Sequence, residues 1–128
     1  MSYYLSKTLE TPFEAAVEKV TEALKKDGFG VLTEIDMQAT MKKKLDVDMQ
    51  KYRILGACNP PLAYKALQAE DKIGLMLPCN VIVQEVSGGG TEVAAIDPVA
   101  SMQAVNNPKL GEVGAQVREK LKRVIDSL

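Results

Sequence analysis

Val81-Ile82-Val83-Gln84-Glu85-Val86-Ser87-Gly88-Gly89-Gly90-Thr91-Glu92-Val93-Ala94-Ala95-Ile96 is the stretch that decides the fold. Its first arm, Val81 to Val86, is rich in β-branched side chains that suit a pleated, half-buried surface, and three successive glycines supply the backbone angles of a tight reversal. Thr91 to Ile96 then resumes the apolar pattern, so the two arms read as an antiparallel β-hairpin. Asp97-Pro98 ends the second arm, because proline has no N–H to give to a ladder.

Working outward toward the N-terminus, Leu75-Met76-Leu77 runs apolar into Pro78, and Tyr52 to Cys58 reads as a strand ended by Asn59-Pro60-Pro61. A short helix is expected from Pro61 to about Gln68. Gly30 to Asp36 alternates Val31, Thr33 and Ile35 against Leu32 and Glu34, which is strand periodicity, and Met37 to Leu45 has the composition of a short helix. Before them, Phe13, Val17, Val20 and Leu24 recur at helical spacing and predict a helix over 12–27. Thr11-Pro12-Phe13-Glu14 reads as its capping box with proline at the first helical position, and Glu22 and Lys26 form an i,i+4 pair. Tyr3 to Thr8 alternates weakly and supplies a first strand. Beyond the hairpin, a loop containing Asn106-Asn107-Pro108 leads to Leu110, Val113, Val117, Leu121, Val124 and Leu128, again at helical spacing. The expected order is β-α-β4-α: an α+β fold in which two long helices cover one face of an antiparallel sheet.

The 128 residues, 46% apolar and 26% charged, fit a single domain over 1–128 with a core of its own. Sixteen Lys and Arg against 17 Asp and Glu leave no positive field to draw the chain onto nucleic acid. The absence of His removes the commonest metal ligand and general base, so any chemistry falls to Cys, carboxylate, Lys, Tyr or backbone. Met1-Ser2-Tyr3-Tyr4-Leu5-Ser6 shows no secretory pattern, and no apolar run approaches membrane-spanning length. The expectation is a cytoplasmic protein with no membrane partner and with Cys58 and Cys79 reduced.

Gly28-Phe29-Gly30, Ile35-Asp36, Gly56-Ala57-Cys58-Asn59-Pro60, Leu77-Pro78-Cys79-Asn80-Val81 and Asp97-Pro98 together resemble the bacterial and archaeal domain-of-unknown-function family number 302, over essentially the whole chain. The resemblance implies a TATA-binding-protein-like α+β fold, with a curved antiparallel sheet under two helices, and a homodimer. It implies no established reaction, and kinship of fold with a DNA-bending protein carries no function.

The residues that could carry chemistry centre on the two Cys-Asn motifs. Cys58 precedes a predicted helix start, where free N–H groups favour a thiolate, and Cys79 could meet it at one sheet edge. The alternative is two buried cysteines acting as small hydrophobes. With Met76 or Met102 the pair could hold a soft ion such as Cu(I), but there is no Cys-x-x-Cys, so no metal and no cofactor is expected. Asn59, Asn80 and Asp97 are candidate ligand-binding groups, each with a structural alternative as helix cap or turn residue, and Asp36 has the same capping alternative. Lys42-Lys43-Lys44 reads as solvated surface balanced by Asp46 and Asp48, and the Ser87–Gly90 turn as a hairpin tip lacking the helix of a phosphate loop.

Three functions fit. The first is a small-molecule binding domain with a pocket near the Cys-Asn motifs, in a cavity between the layers walled by Met76, Leu77, Val81 and Val83. The second is a thiol-based redox or sulfur-transfer enzyme using Cys58 and Cys79. The third is a dimeric interaction module without chemistry.

Overall fold

Alternation in the Val81–Ile96 hairpin sorts its side chains between two faces, and the computed structural model, which describes residues 2–128, shows what each face meets; Met1 lies outside the described residues. Strand β4 (Cys79–Glu85) pairs antiparallel with β5 (Thr91–Ile96), with Val83 opposite Val93 and Val81 opposite Ala95. These four side chains are essentially inaccessible. Strands β1 (Tyr4–Leu9), β2 (Gly30–Asp36) and β3 (Tyr52–Cys58) complete an open antiparallel sheet in the order β1-β5-β4-β3-β2. The expected α+β architecture is present.

Helices α1 (Phe13–Lys26) and α5 (Lys109–Asp126) lie on the same face of the sheet and touch each other. From α1 they bury Phe13, Ala16, Val17, Val20 and Leu24, and from α5 Leu110, Val113, Val117, Leu121, Val124 and Ile125. Each large side chain removed from water in this way contributes about 1.5–3 kcal/mol, the main favourable term in the fold. Lys7, at the β1 edge, donates to the Leu128 carbonyl at 2.5 Å and so ties the first strand to the end of α5.

Two local expectations are corrected. Thr11 does not cap α1: Pro12 occupies the cap position and no side chain bonds there. The Thr11 carbonyl accepts the Thr91 hydroxyl at 2.7 Å, and Glu14 turns to Arg53 (3.2 Å), whose guanidinium also lies 5.1 Å from the Phe13 ring centroid and 3.3 Å from Glu34. A half-buried cation outcompetes one backbone N–H for that carboxylate. Glu22 pairs with Lys25 at 3.4 Å, one position short of Lys26.

Between the main elements, α2 (Met37–Leu45) is capped by Asp36, whose carboxylate accepts the Ala39 N–H at 2.9 Å. Helix α3 (Pro60–Ala69) follows β3, and a 3₁₀ turn over Asp71–Met76 leads to β4. The segment expected as loop after β5 contains the short helix α4 (Pro98–Met102).

Gly56, in the middle of the sheet, is where two chain segments meet. A Cβ there would collide with Thr33 Oγ1 and come within 2.7 Å of Pro78 Cγ. Overpacking of that kind costs about 1–3 kcal/mol. Gly56→Ala is therefore expected to lower stability by about that amount, read as a drop in the urea midpoint without a change in slope.

Candidate functional site

Five antiparallel strands have two faces, and the long helices α1 and α5 cover only one. The register of the pairs sets the residues of the other face in rows. Ile35, Ile54, Ile82, Ala94 and Ser6 are successive cross-strand partners and form a largely apolar row across all five strands. On one side of it lie Tyr52, Gln84, Glu92 and Thr8, and on the other Thr33, Gly56 and Asn80, with Ile96 opposite Tyr4. A trough of about 400 Å³ opens over this face, lined by Tyr3, Tyr4, Tyr52, Asn80, Ile82, Gln84, Glu92 and the Ala94–Ile96 segment.

The polar groups of the trough are held in place by one another. Gln50 Nε2 donates to Gln84 Oε1 at 3.2 Å, and Gln84 Nε2 donates to Glu92 Oε1 at 2.8 Å, so a chain of side chains fixes the carboxylate. Tyr3 and Tyr4 meet edge to face, with ring centroids 5.1 Å apart and an interplanar angle of 76°. The Tyr3 carbonyl accepts the Asp97 N–H at 2.8 Å and extends the pairing of β1 with β5 beyond its last residue.

The first Cys-Asn motif lies elsewhere. Asn59 is buried and caps α3, its Oδ1 accepting the Leu62 N–H at 3.3 Å. Cys58, Asn59 and Cys79 all border a cavity of about 20 Å³, enclosed by apolar residues that include Leu62, Leu77, Met102 and Val117. That volume accommodates one water. The larger interlayer cavity expected behind Met76, Leu77, Val81 and Val83 is absent among the described residues: Val81 and Val83 are close-packed, and Met76 is 39% exposed. Helix side chains fill the space that a ligand would need.

The two cysteines leave the sheet differently. Cys79, at the start of β4, is buried and pairs with Ala57, whereas Cys58 is the half-buried last residue of β3, diagonal to it. Burial, and secondarily the proximity of Cys58, pushes the Cys79 thiol from its ordinary 9.0 up to about 11. Asp97 is engaged: its Oδ1 accepts the Val99 and Ala100 N–H groups of α4, and its Oδ2 accepts Arg118 Nε at 3.0 Å. Lys42 pairs with Asp46 and Asp48 on the surface. Among the described residues, no group of three or more His, Cys, Asp or Glu side chains is placed to hold a metal ion, and no helix is long and apolar enough to cross a membrane.

Of the sequence candidates, then, Cys58, Asn59 and Cys79 share one small cavity, Asn80 faces the trough, and Asp97 joins α4 to α5. Tyr3, Tyr4, Tyr52, Gln84 and Glu92 were not singled out by sequence reasoning. The available signal was that Ile54, Ile82 and Ala94, at the positions alternating with the core residues, are also apolar.

The comparisons agree with the architecture. A family model described as Domain of unknown function DUF302 matches residues 5–128. A crystal structure of an uncharacterized conserved DUF302 protein from Bacillus stearothermophilus superposes with a TM-score of 0.91 at 27% identity, covering 98% of each chain. No curated protein matches the chain.

The Cys79 environment has a pH signature. A thiol whose folded pKa lies above its unfolded value keeps its proton in the native state while the unfolded chain loses it, so the native state loses relative stability as pH rises from about 9 toward about 11. The expected loss is about 2–3 kcal/mol. In chemical denaturation at stepped pH, Cys79→Ala should lack this component, and the wild-type-minus-variant difference isolates it from the titration of Lys and Tyr.

Proposed function

The chain belongs to the family described as Domain of unknown function DUF302, and from that premise we propose that it is a small-molecule binding domain whose ligand lies in the trough on the helix-free face of the sheet. The observation that carries this reading is the trough itself. Its volume of about 400 Å³ falls within the range of about 300–1,000 Å³ usual for ligand sites, and its apolar floor is flanked by a few convergent polar groups. Strands hold those groups more rigidly than loops would, so little ordering remains to oppose binding. Asn80 connects the trough to the Leu77-Pro78-Cys79-Asn80 motif.

The thiol-enzyme reading has less support. A nucleophilic cysteine must be ionised and accessible, whereas Cys79 is buried with its thiol pushed up to about 11. The interaction-module reading draws on the Ile35, Ile54 and Ile82 row, since a second copy could cover the same apolar surface and form the homodimer that the family resemblance implies.

One substitution separates these readings. Ile82→Glu places a charge at the centre of the trough without touching the helix-side core. Ligand-observed NMR against a fragment collection is expected to show binders that Ile82→Glu loses, with the circular dichroism spectrum unchanged. If no fragment binds, and sedimentation shows a dimer that Ile82→Glu dissociates, the face is an interface and the binding reading fails.

A further inference from the structure

We infer that the trough takes a small organic cation, an ammonium or amidinium group carried on an apolar body. The inference rests on the binding reading above and adds the charge and class of the ligand.

Three features of the lining converge on a positive charge. Three of the chain's four tyrosines, Tyr3, Tyr4 and Tyr52, border this one trough. The face of a phenol ring carries negative potential, and several rings around one space attract a cation while tolerating its alkyl substituents. Among the described residues, Glu92 is the only Asp, Glu, Lys or Arg in the lining, so no side chain there neutralises an anion and one carboxylate is available to a cation. Gln84 holds Glu92 Oε1, and among the described residues no donor bonds Oε2. The carboxylate is thus oriented by a neutral amide that leaves its charge uncompensated.

The rest of the lining fits the other half of such a ligand. Ile82, Ala94 and Ile96 offer an apolar floor for a hydrocarbon body. A phosphate or carboxylate ligand would face tyrosines and a like-charged glutamate with no Lys or Arg among the described lining residues to receive it, and a neutral ligand would gain at most a hydrogen bond from Glu92. The nearest basic side chain on β1, Lys7, belongs to the opposite face, where it reaches the end of α5.

The test compares choline with 3,3-dimethylbutan-1-ol, which has the same shape with carbon in place of the charged nitrogen. Both are titrated into the intact protein and followed by backbone amide shifts in β3, β4 and β5. Choline is expected to bind in the trough at least about tenfold more tightly than the alcohol. Glu92→Gln, a half-exposed and nearly isosteric change, should weaken choline about fivefold and leave the alcohol unchanged. Tyr52→Leu should weaken choline more than the alcohol, because it removes the ring face and keeps apolar bulk. If the two probes bind the trough equally, or Glu92→Gln leaves choline affinity intact, the cation inference is overturned while the binding reading stands. If neither shifts the trough amides and the fragment collection also yields no binder there, both fail.

Discussion

The period-two alternation of β4 and β5 is the constraint on which the rest of this molecule depends. Val81, Val83, Val93 and Ala95 go to the helix side, and sliding either strand by one residue would exchange them for Ile82, Gln84, Glu92 and Ala94. Either assignment places apolar residues on both faces, but only one matches the stripes of α1 and α5. Val20, Leu24 and Leu121, fully buried in those helices, select the face that becomes the core. The face left over keeps its own isoleucines, and its trough is a by-product of that selection.

The same alternation explains why the two Cys-Asn motifs do different work. Within Leu77-Pro78-Cys79-Asn80, adjacent residues belong to opposite sides of the sheet: Cys79 enters the packed layer and Asn80 the trough. In the first motif the strand has ended, and Asn59 spends its side chain on the start of α3. Similar sequence contexts therefore meet different physical demands. A thiol in the packed layer is useful for its volume, and the burial that makes it so also suppresses its ionisation.

Much of the architecture was legible because it is encoded locally. The helical spacing of Phe13, Val17, Val20 and Leu24, and of Leu110, Val113, Val117 and Leu121, needs no distant information, and neither does the glycine-marked reversal at Gly88–Gly90. What escaped was decided by partners far along the chain. Glu14 left its expected capping role for Arg53, 39 residues away. The short helix at Pro98–Met102 is held through Asp97 to Arg118 of α5. The trough is the extreme case: Tyr4 and Ile96 are cross-strand neighbours although they lie far apart in the sequence, and only the pairing of β1 with β5 brings Tyr3 and Tyr4 to Glu92. The candidate site was spread over four strands, and no single window of sequence contained it.

That pairing also orders events in time. β1 is synthesised first and β5 last among the strands, so the first edge of the sheet has no partner until the chain has been made from Leu9 through to Thr91–Ile96. The meander from β2 through β5 can form from local reversals, whereas docking β1 closes the longest loop in the sheet and bears the largest chain-entropy cost. On the ribosome, the segment carrying Tyr3 and Tyr4 waits unpaired beside a growing sheet whose β5 edge is open. The trough is completed by the same late step, so its full lining exists only when the sheet is finished.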